Sequence, residues 1–548
     1  MVTVQYQLII IVTELMCGIF AYLSSTSSTV DNDDLLEYAG KIQHRGPDMT
    51  RYEYLFEKTG LMGFHRLSIN DQTEKGMQPF KVKSSVSICN GEIYNHEDLK
   101  ERYECSVQSN SDCEIIIPLI NKIGIMKACK ELDGVFAFVV VQENGDVIVA
   151  RDPFGVRSLY TGINHSGDLC VASEMKSIPP DFYVKPFPPG TYSVYRKMND
   201  KYSESVCERY FGYHYVNTVA DKRETTVQNI RYLLESAVEK RLMSDRSIGC
   251  LLSGGLDSSI IASVLCRMYQ TSERRLKTFS VGLKGSVDLQ YAQKVAKYLG
   301  TDHTEVVLTE DEMVDAIKST IYQIESYDTT TVRASTPMLL LCKYIKQNSD
   351  VTVIFSGEGS DEASGSYLYF HNAPDEDSFK LETERLLSEL HRFDCLRCDK
   401  STAGAGLEVR VPFLDKTFLK YYMSINPTWK QPNGQIEKRL LREAFMDILP
   451  TEVAWRVKEG MSDGVSSMNR PWFEIIQERV KSRFSKKEYD EFQEDANPPM
   501  TNEALYYRKI FEEYFPGRST TIPHYWLPKW SGDTVEPSAR TLHVYSTL

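Results

Sequence analysis

The sequence predicts two domains: an α+β domain of layered antiparallel sheets with helices, followed by an α/β domain on a parallel sheet that runs into a mainly helical C-terminal part. Three observations carry this reading. A chain of 548 residues exceeds what one hydrophobic core usually supports. Its first third reads as short β-type runs punctuated by turns, and beyond residue 223 strand-like and helix-like segments alternate.

Taken in order, residues 8–12 are a short apolar run with no basic stretch before it, too short to span a bilayer, so neither secretion nor a membrane is expected. Residues 86–88, 135–141, 147–150 and 169–172 read as strands. Polar residues from 203 to 222 interrupt the pattern, and 206–222 is assigned as the linker. Residues 226–243 carry apolar side chains at helical spacing; 248–252 is a buried strand, followed by a polar turn and a helix through Met268. Strand 278–283, helix 289–299, strand 303–308, a helical stretch through Ile345 and strand 351–355 repeat the alternation that makes a parallel sheet covered by helices. From Asp375 the chain reads as mainly helical, and the aromatic tail 524–530 receives no element.

Hydrophobic residues at 42% and charged residues at 25% are ordinary for a globular protein. A net charge of -13 leaves no electrostatic footprint for nucleic acid, so small-molecule chemistry is expected. The 12 cysteines are scattered and mostly in apolar surroundings, as at Cys266 and Cys342, which suits a reducing, cytoplasmic compartment. Cys395 and Cys398 form a Cys-x-x-Cys without a second pair at metal spacing and read as core filler.

Four stretches of the first domain carry polar groups that composition does not require: Met16-Cys-Gly-Ile-Phe20, His65-Arg-Leu-Ser-Ile69, Asn90-Gly-Glu-Ile-Tyr-Asn95 and Ser111-Asp-Cys-Glu114. With His44-Arg-Gly-Pro-Asp48, Ala150 to Arg157 and Ala172 to Lys176, they resemble the class II, N-terminal-nucleophile glutamine amidotransferases. Singly, Cys17 would be core filler, Arg66 a surface ion pair and Asp112 a helix cap; the four stretches in the family's order argue otherwise. The resemblance implies an N-terminal-nucleophile fold over residues 17–205, with Cys17 attacking the glutamine carboxamide and its own α-amine as base. It makes Asn90 and Gly91 the oxyanion hole, Arg66 the partner of the glutamine carboxylate, and Glu92 and Asp112 the partners of its ammonium. Residues 1–16 would then be an extension absent from the active form, since with them attached Cys17 has no free amine.

Ser253-Gly-Gly-Leu-Asp-Ser-Ser259, between a strand and a helix, offers two glycines, helix-start N–H groups and three hydroxyls to an anion. The Gly-Lys of a Walker A loop is missing, so transfer of a γ-phosphoryl group is not indicated. Together with Thr278 to Gly282 and Ser356-Gly-Glu-Gly-Ser-Asp-Glu362, the motif resembles the ATP pyrophosphatases of the adenine nucleotide α-hydrolase class. Longer matches at 327–337, 408–415, 455–459, 462–464 and 523–530 narrow the resemblance to the asparagine synthetase family, over residues 223–548. It implies that Leu251, Ser253, Gly254, Gly255, Asp257, Ser258, Val281, Ser356 and Gly357 contact ATP, that Asp257 and Asp361 hold Mg²⁺, and that Glu358 and Lys458 serve the β-aspartyl-AMP step. Lys458 alone would be a solvated lysine; its motif lifts it. Thr330 and Arg333 would face aspartate, while 402–406 and 469–472 depart from the family's pattern.

The expected function is thus glutamine-dependent synthesis of asparagine from aspartate, ATP going to AMP and pyrophosphate, with ammonia channelled between domains. Its partners are glutamine, aspartate and ATP, with Mg²⁺, no nucleic acid and no membrane, and the resemblance leaves room for a homodimer. Other readings are an ammonia-dependent synthetase with an idle glutaminase if residues 1–16 stay, a β-lactam-forming relative, or a non-catalytic nucleotide- or glutamine-binding regulator.

Overall fold

The computed structural model describes residues 2–5, 17–25, 32–56, 59–271, 274–432 and 434–546; the apolar run 8–12 and Met16 lie outside them. The first domain holds two six-stranded antiparallel sheets. One runs in the order Tyr183–Pro186, Tyr160–Ile163, Leu169–Ala172, Gly18–Leu23, Gly60–Arg66, Met49–Leu55. The other runs Lys201–Arg209, Thr191–Met198, Val147–Arg151, Gly134–Val141, Ser85–Ile93, Phe80–Val82. Side chains alternate across a strand, so Ile19, Ala21 and Leu23 meet Ala137, Val139 and Val149 between the layers. Phe136, Phe138 and Val140 face the other way, onto the helix Ile116–Ile123. Burial on both faces is why 135–141 reads as an unbroken apolar run.

The second domain is built on a sheet ordered Val2–Gln5, Asp302–Leu308, Lys277–Leu283, Ser247–Leu251, Val351–Phe355, Glu408–Arg410, with every neighbouring pair parallel. The helices Leu256–Tyr269, Val287–Leu299 and Thr329–Asn348 cover it. Ser247–Leu251 is central, with the next strand in the chain on one side and Val351–Phe355 on the other, so the strand order reverses at its carboxyl end. Such a switch point opens a crevice for a ligand.

One expectation needs correcting, and the structure adds two features. The assigned linker 206–222 begins inside a strand: Lys201–Arg209 pairs along its length with Thr191–Met198. It is an edge strand with few buried residues, so its sequence lacks an apolar face. The chain that follows is held, with buried Tyr213 and Tyr215 donating through the Tyr213 hydroxyl to Pro153 O (2.6 Å) and the Tyr215 N–H to Glu384 (3.0 Å). Within the helical C-terminal part, Glu408–Arg410 returns to the sheet as its last strand. The aromatic tail, unassigned from sequence, lies along the second domain, where Trp526 and Trp530 pack on Tyr369. Cys395 and Cys398 are buried in the helix Asp394–Ala403, and neither is bonded. Among the described residues no helix is long and apolar enough to cross a membrane.

Candidate functional site

Cys17 lies at the start of the strand Gly18–Leu23, where pairing with Gly60–Arg66 sets Gly18 opposite His65. Its Sγ accepts from the Leu67 N–H (3.3 Å) and donates to Leu67 O (3.4 Å). Burial pushes the thiol up to about 12, against the pull of these backbone contacts. Arg45, fully buried, donates through Nε to Cys17 O (3.1 Å) and spends the rest of its guanidinium on Glu174 (2.8 Å) and Asp399 (2.9 Å). The Asn90 amide fits with its nitrogen on Cys17 O (3.2 Å) and its oxygen on Arg45 Nη2 (3.3 Å). At Gly91 a Cβ would lie 2.1 Å from Val135 O and 2.6 Å from Phe136 Cα, so only glycine lets these strands approach.

Arg66 donates to Thr73 O (2.7 Å) and to Asp71 O, the carbonyls of a loop that holds its guanidinium in place. Glu92 accepts from Asn70 Nδ2 (2.5 Å) and Asp112 from the Ile93 N–H (2.6 Å). Burial raises both carboxyls, for Glu92 well above the usual range, with Glu408 and Asp112 adding to the effect. Two buried carboxyls that hold their charge poorly favour an arriving cation, the property an ammonium partner needs. All six residues expected around glutamine therefore come from adjoining strand ends and loops of one domain.

The second constellation converges on a cleft at the switch point. Leu251, Ser253, Gly255, Asp257, Ser258, Val281, Ser356, Gly357, Glu358, Asp361 and Lys458 all line it. Gly254 does not; it makes the turn, with φ +71° and a hypothetical Cβ 2.4 Å from Ala292 N. Ser253 Oγ and Ser258 Oγ lie 3.1 Å apart at the start of the helix Leu256–Tyr269, where N–H groups face an anion. Glu358 is gripped by Arg397 through both oxygens (2.9 and 2.7 Å), and burial raises its carboxyl, with Arg397 opposing.

Lys438 went unnoticed in the sequence, where nothing marks it. Its Nζ, almost wholly buried, reaches Asp257 Oδ2 (2.5 Å) and Asp361 Oδ1 (2.6 Å), and Lys458 Nζ reaches Asp361 Oδ2 (2.7 Å). Burial would raise the Asp361 carboxyl, but the two ammonium groups outweigh it and hold it well below the carboxylate range. Two carboxylates converging on one point are oxygen donors of the kind Mg²⁺ takes from a protein when substrate phosphates complete its shell, so the residues fit that ion.

Thr330 lines the cleft, but Arg333 does not: it is buried and pairs with Glu503 (2.6 Å) and Glu536 (2.5 Å), which removes it from aspartate. Within the departing segment 469–472, Trp472 is fully buried and donates to Arg333 O (3.2 Å). Between the two constellations the domains interlock through buried charge. Arg45 reaches Asp399, and Arg410 Nη2 lies 3.5 Å from Glu92 while its own carbonyl accepts from the Ser356 N–H (2.9 Å). One short strand, Glu408–Arg410, thus touches both sites.

A family model described as asparagine synthase matches residues 229–387 and 373–540, and one described as a glutamine amidotransferase domain matches residues 16–233. The asparagine synthetase [glutamine-hydrolyzing] of Cricetulus griseus is 44% identical over 570 aligned residues, spanning 97% of this chain and 99% of its own length. Those of Homo sapiens and Gallus gallus are 43% identical at the same coverage.

Proposed function

The chain belongs to the asparagine synthetase family, and we propose that it makes L-asparagine from L-aspartate with glutamine as nitrogen donor, through two sites in one polypeptide. In the first, Cys17 attacks the carboxamide. At neutral pH a thiol held near 12 is ionised only to about one part in a hundred thousand, so it needs a base. The α-amine of Cys17 itself, at about 7.7–8.0 when free, has the right strength, and the glutaminase acts with Cys17 as first residue, in a form without the Val2–Gln5 edge strand. Asn90 and the Gly91 N–H take the oxyanion, Arg66 the glutamine carboxylate, Glu92 and Asp112 its ammonium.

In the second, the loop 253–258 receives the ATP phosphates beside Leu251, Val281, Ser356 and Gly357. The aspartate side-chain carboxylate attacks the α-phosphorus, giving β-aspartyl-AMP and pyrophosphate. Lys458 and Lys438 offset the charge that gathers on the leaving pyrophosphate. Asp257 and Asp361 would hold Mg²⁺, which when bound neutralises adjacent phosphates. Ammonia then displaces AMP, and Glu358, raised by burial, is suited to take a proton from it. Ammonia in water is mostly ammonium and then no nucleophile, so passage along the buried interface near Arg45, Asp399 and Glu408–Arg410 keeps it reactive. Twelve unbonded cysteines fit work in the reducing cytoplasm.

The observation that carries this reading is the convergence, in one chain, of a thiol among amide donors and a helix-start anion cradle flanked by two lysines. Cys17→Ala tests it: glutamine-dependent synthesis should vanish while ammonia-dependent synthesis survives, and loss of both would defeat the claim of separable sites.

A further inference from the structure

The stretch 523–546 supplies no group to either reaction, yet it is tied to two walls of the ATP cleft. Trp526 lines the cleft, and its N–H donates to Asp328 Oδ1 (2.7 Å), the carboxylate that caps the helix Thr329–Asn348. Glu536 pairs with Arg333 on that helix (2.5 Å). On the opposite wall, Ser538 Oγ donates to Asp463 Oδ1 (2.6 Å) and Arg540 Nε donates to Glu459 Oε1 (2.7 Å). The Tyr545 hydroxyl reaches the same Glu459 carboxylate at 3.2 and 3.3 Å.

Glu459 directly follows Lys458 in a segment, 456–460, that has neither helix nor strand. A backbone without a hydrogen-bond ladder is held only by what its side chains and amides find. On one side the Lys458 N–H donates to Glu437 Oε1 (2.8 Å) and Arg456 pairs with Asp288 (2.8 Å). On the other side the fixings are Arg540 and Tyr545. The Arg540 side chain is 5% exposed and also donates to Ser467 O (3.0 Å), so it is itself immobilised. Without this grip Glu459, one residue from Lys458, loses the partners that hold its carboxylate.

We propose that Arg540, assisted by Tyr545, is a positioning residue for Lys458, so that the C-terminal strap fixes the lysine that meets the pyrophosphate. The inference rests on the reading that Lys458 acts there. Its effect belongs to the step in which charge builds on the phosphates, because a lysine displaced by an ångström still binds ATP loosely but no longer matches the transition state.

The test measures ammonia-dependent synthesis by the full chain, with glutamine hydrolysis as a control of folding, for Arg540→Ala, Arg540→Lys, Tyr545→Phe and Lys458→Arg, and for Arg540→Ala combined with Lys458→Arg. Arg540→Ala should lower kcat about tenfold or more while the KM for ATP stays within about threefold. Arg540→Lys should recover much of the loss, Tyr545→Phe should cost about two- to threefold, and Arg540→Ala should cost far less once Lys458 is arginine. Should Arg540→Ala fail to fold, Tyr545→Phe, which deletes one hydroxyl, carries the same comparison. A rise in KM at unchanged kcat, or an equal loss in both backgrounds, overturns the inference. Lys458→Arg at the parent rate would bring down the lysine's own role and this one together; a dead Lys458→Arg beside an unimpaired Arg540→Ala would remove the strap's role alone.

Discussion

Replacing Lys438 by methionine separates the charge logic of the synthetase cleft from its shape. The lysine Nζ bridges Asp257 and Asp361 at 2.5 and 2.6 Å, so the two carboxylate oxygens lie no more than about 5 Å apart. At an effective dielectric of about 20, two charges at that distance repel by about 3 kcal/mol. The carboxylates are 13% and 17% exposed, and Lys458 still neutralises Asp361 from 2.7 Å, which brings the expected loss to about 1–3 kcal/mol. Urea unfolding of the Lys438→Met chain at pH 7 should show that loss, and added Mg²⁺ should restore more stability to the variant than to the parent. The sign with pH also follows. In the parent the Asp361 carboxyl is depressed by the two lysines, so their contribution is complete above about pH 4 and fades below it, and the gap between parent and variant should close on acidification. Synthesis should fall while glutamine hydrolysis is kept. Unchanged stability at pH 7, with Mg²⁺ acting equally on both chains, would refute the reasoning.

Gly91→Ala would set a methyl 2.1 Å from Val135 O; displacement of the amide donor should cost about 10²–10³ in kcat for glutamine hydrolysis, and a glutaminase assay at the parent rate would contradict it. The same assay across pH should show activity low below about 7 and rising through about 8 as the α-amine loses its proton, with no dependence on the thiol's own ionisation near 12. Lys430, buried against the Tyr422 ring, is pulled down to about 7 by burial, so the unfolded chain binds a proton that the folded chain resists between about 7 and 10.5. Lys430→Met should therefore gain about 2–4 kcal/mol at pH 7 and little near pH 10 in urea unfolding.

Local pattern carried far along this chain. Residues 351–355 are a strand with the bounds read from sequence, 289–299 is a helix that begins two residues earlier, and 248–252 is shifted by one. Strands buried on both faces and helices with one apolar stripe state their periods openly. An edge strand such as Lys201–Arg209 does not, because its exposed side chains owe nothing to a core.

Among site residues, those within compact motifs were nameable, since glycines and hydroxyls at fixed spacing have few other uses. Lys438 was out of reach for a different reason. Its partners Asp361 and Asp257 are 77 and 181 residues away, and it sits in a sequence that any surface loop could carry. Arg333 failed in the opposite direction: the resemblance set its stretch, with Thr330, toward aspartate, but two distant glutamates claim its guanidinium. The strap 523–546 had aromatic composition but no period, so only the fold discloses what it touches.

The most direct measurement supplies glutamine labelled with ¹⁵N in its amide, together with an excess of unlabelled ammonium, and weighs the asparagine formed. Passage inside the protein predicts an asparagine amide enriched close to the glutamine donor, whereas an amide diluted to the isotope ratio of the surrounding ammonium would contradict it.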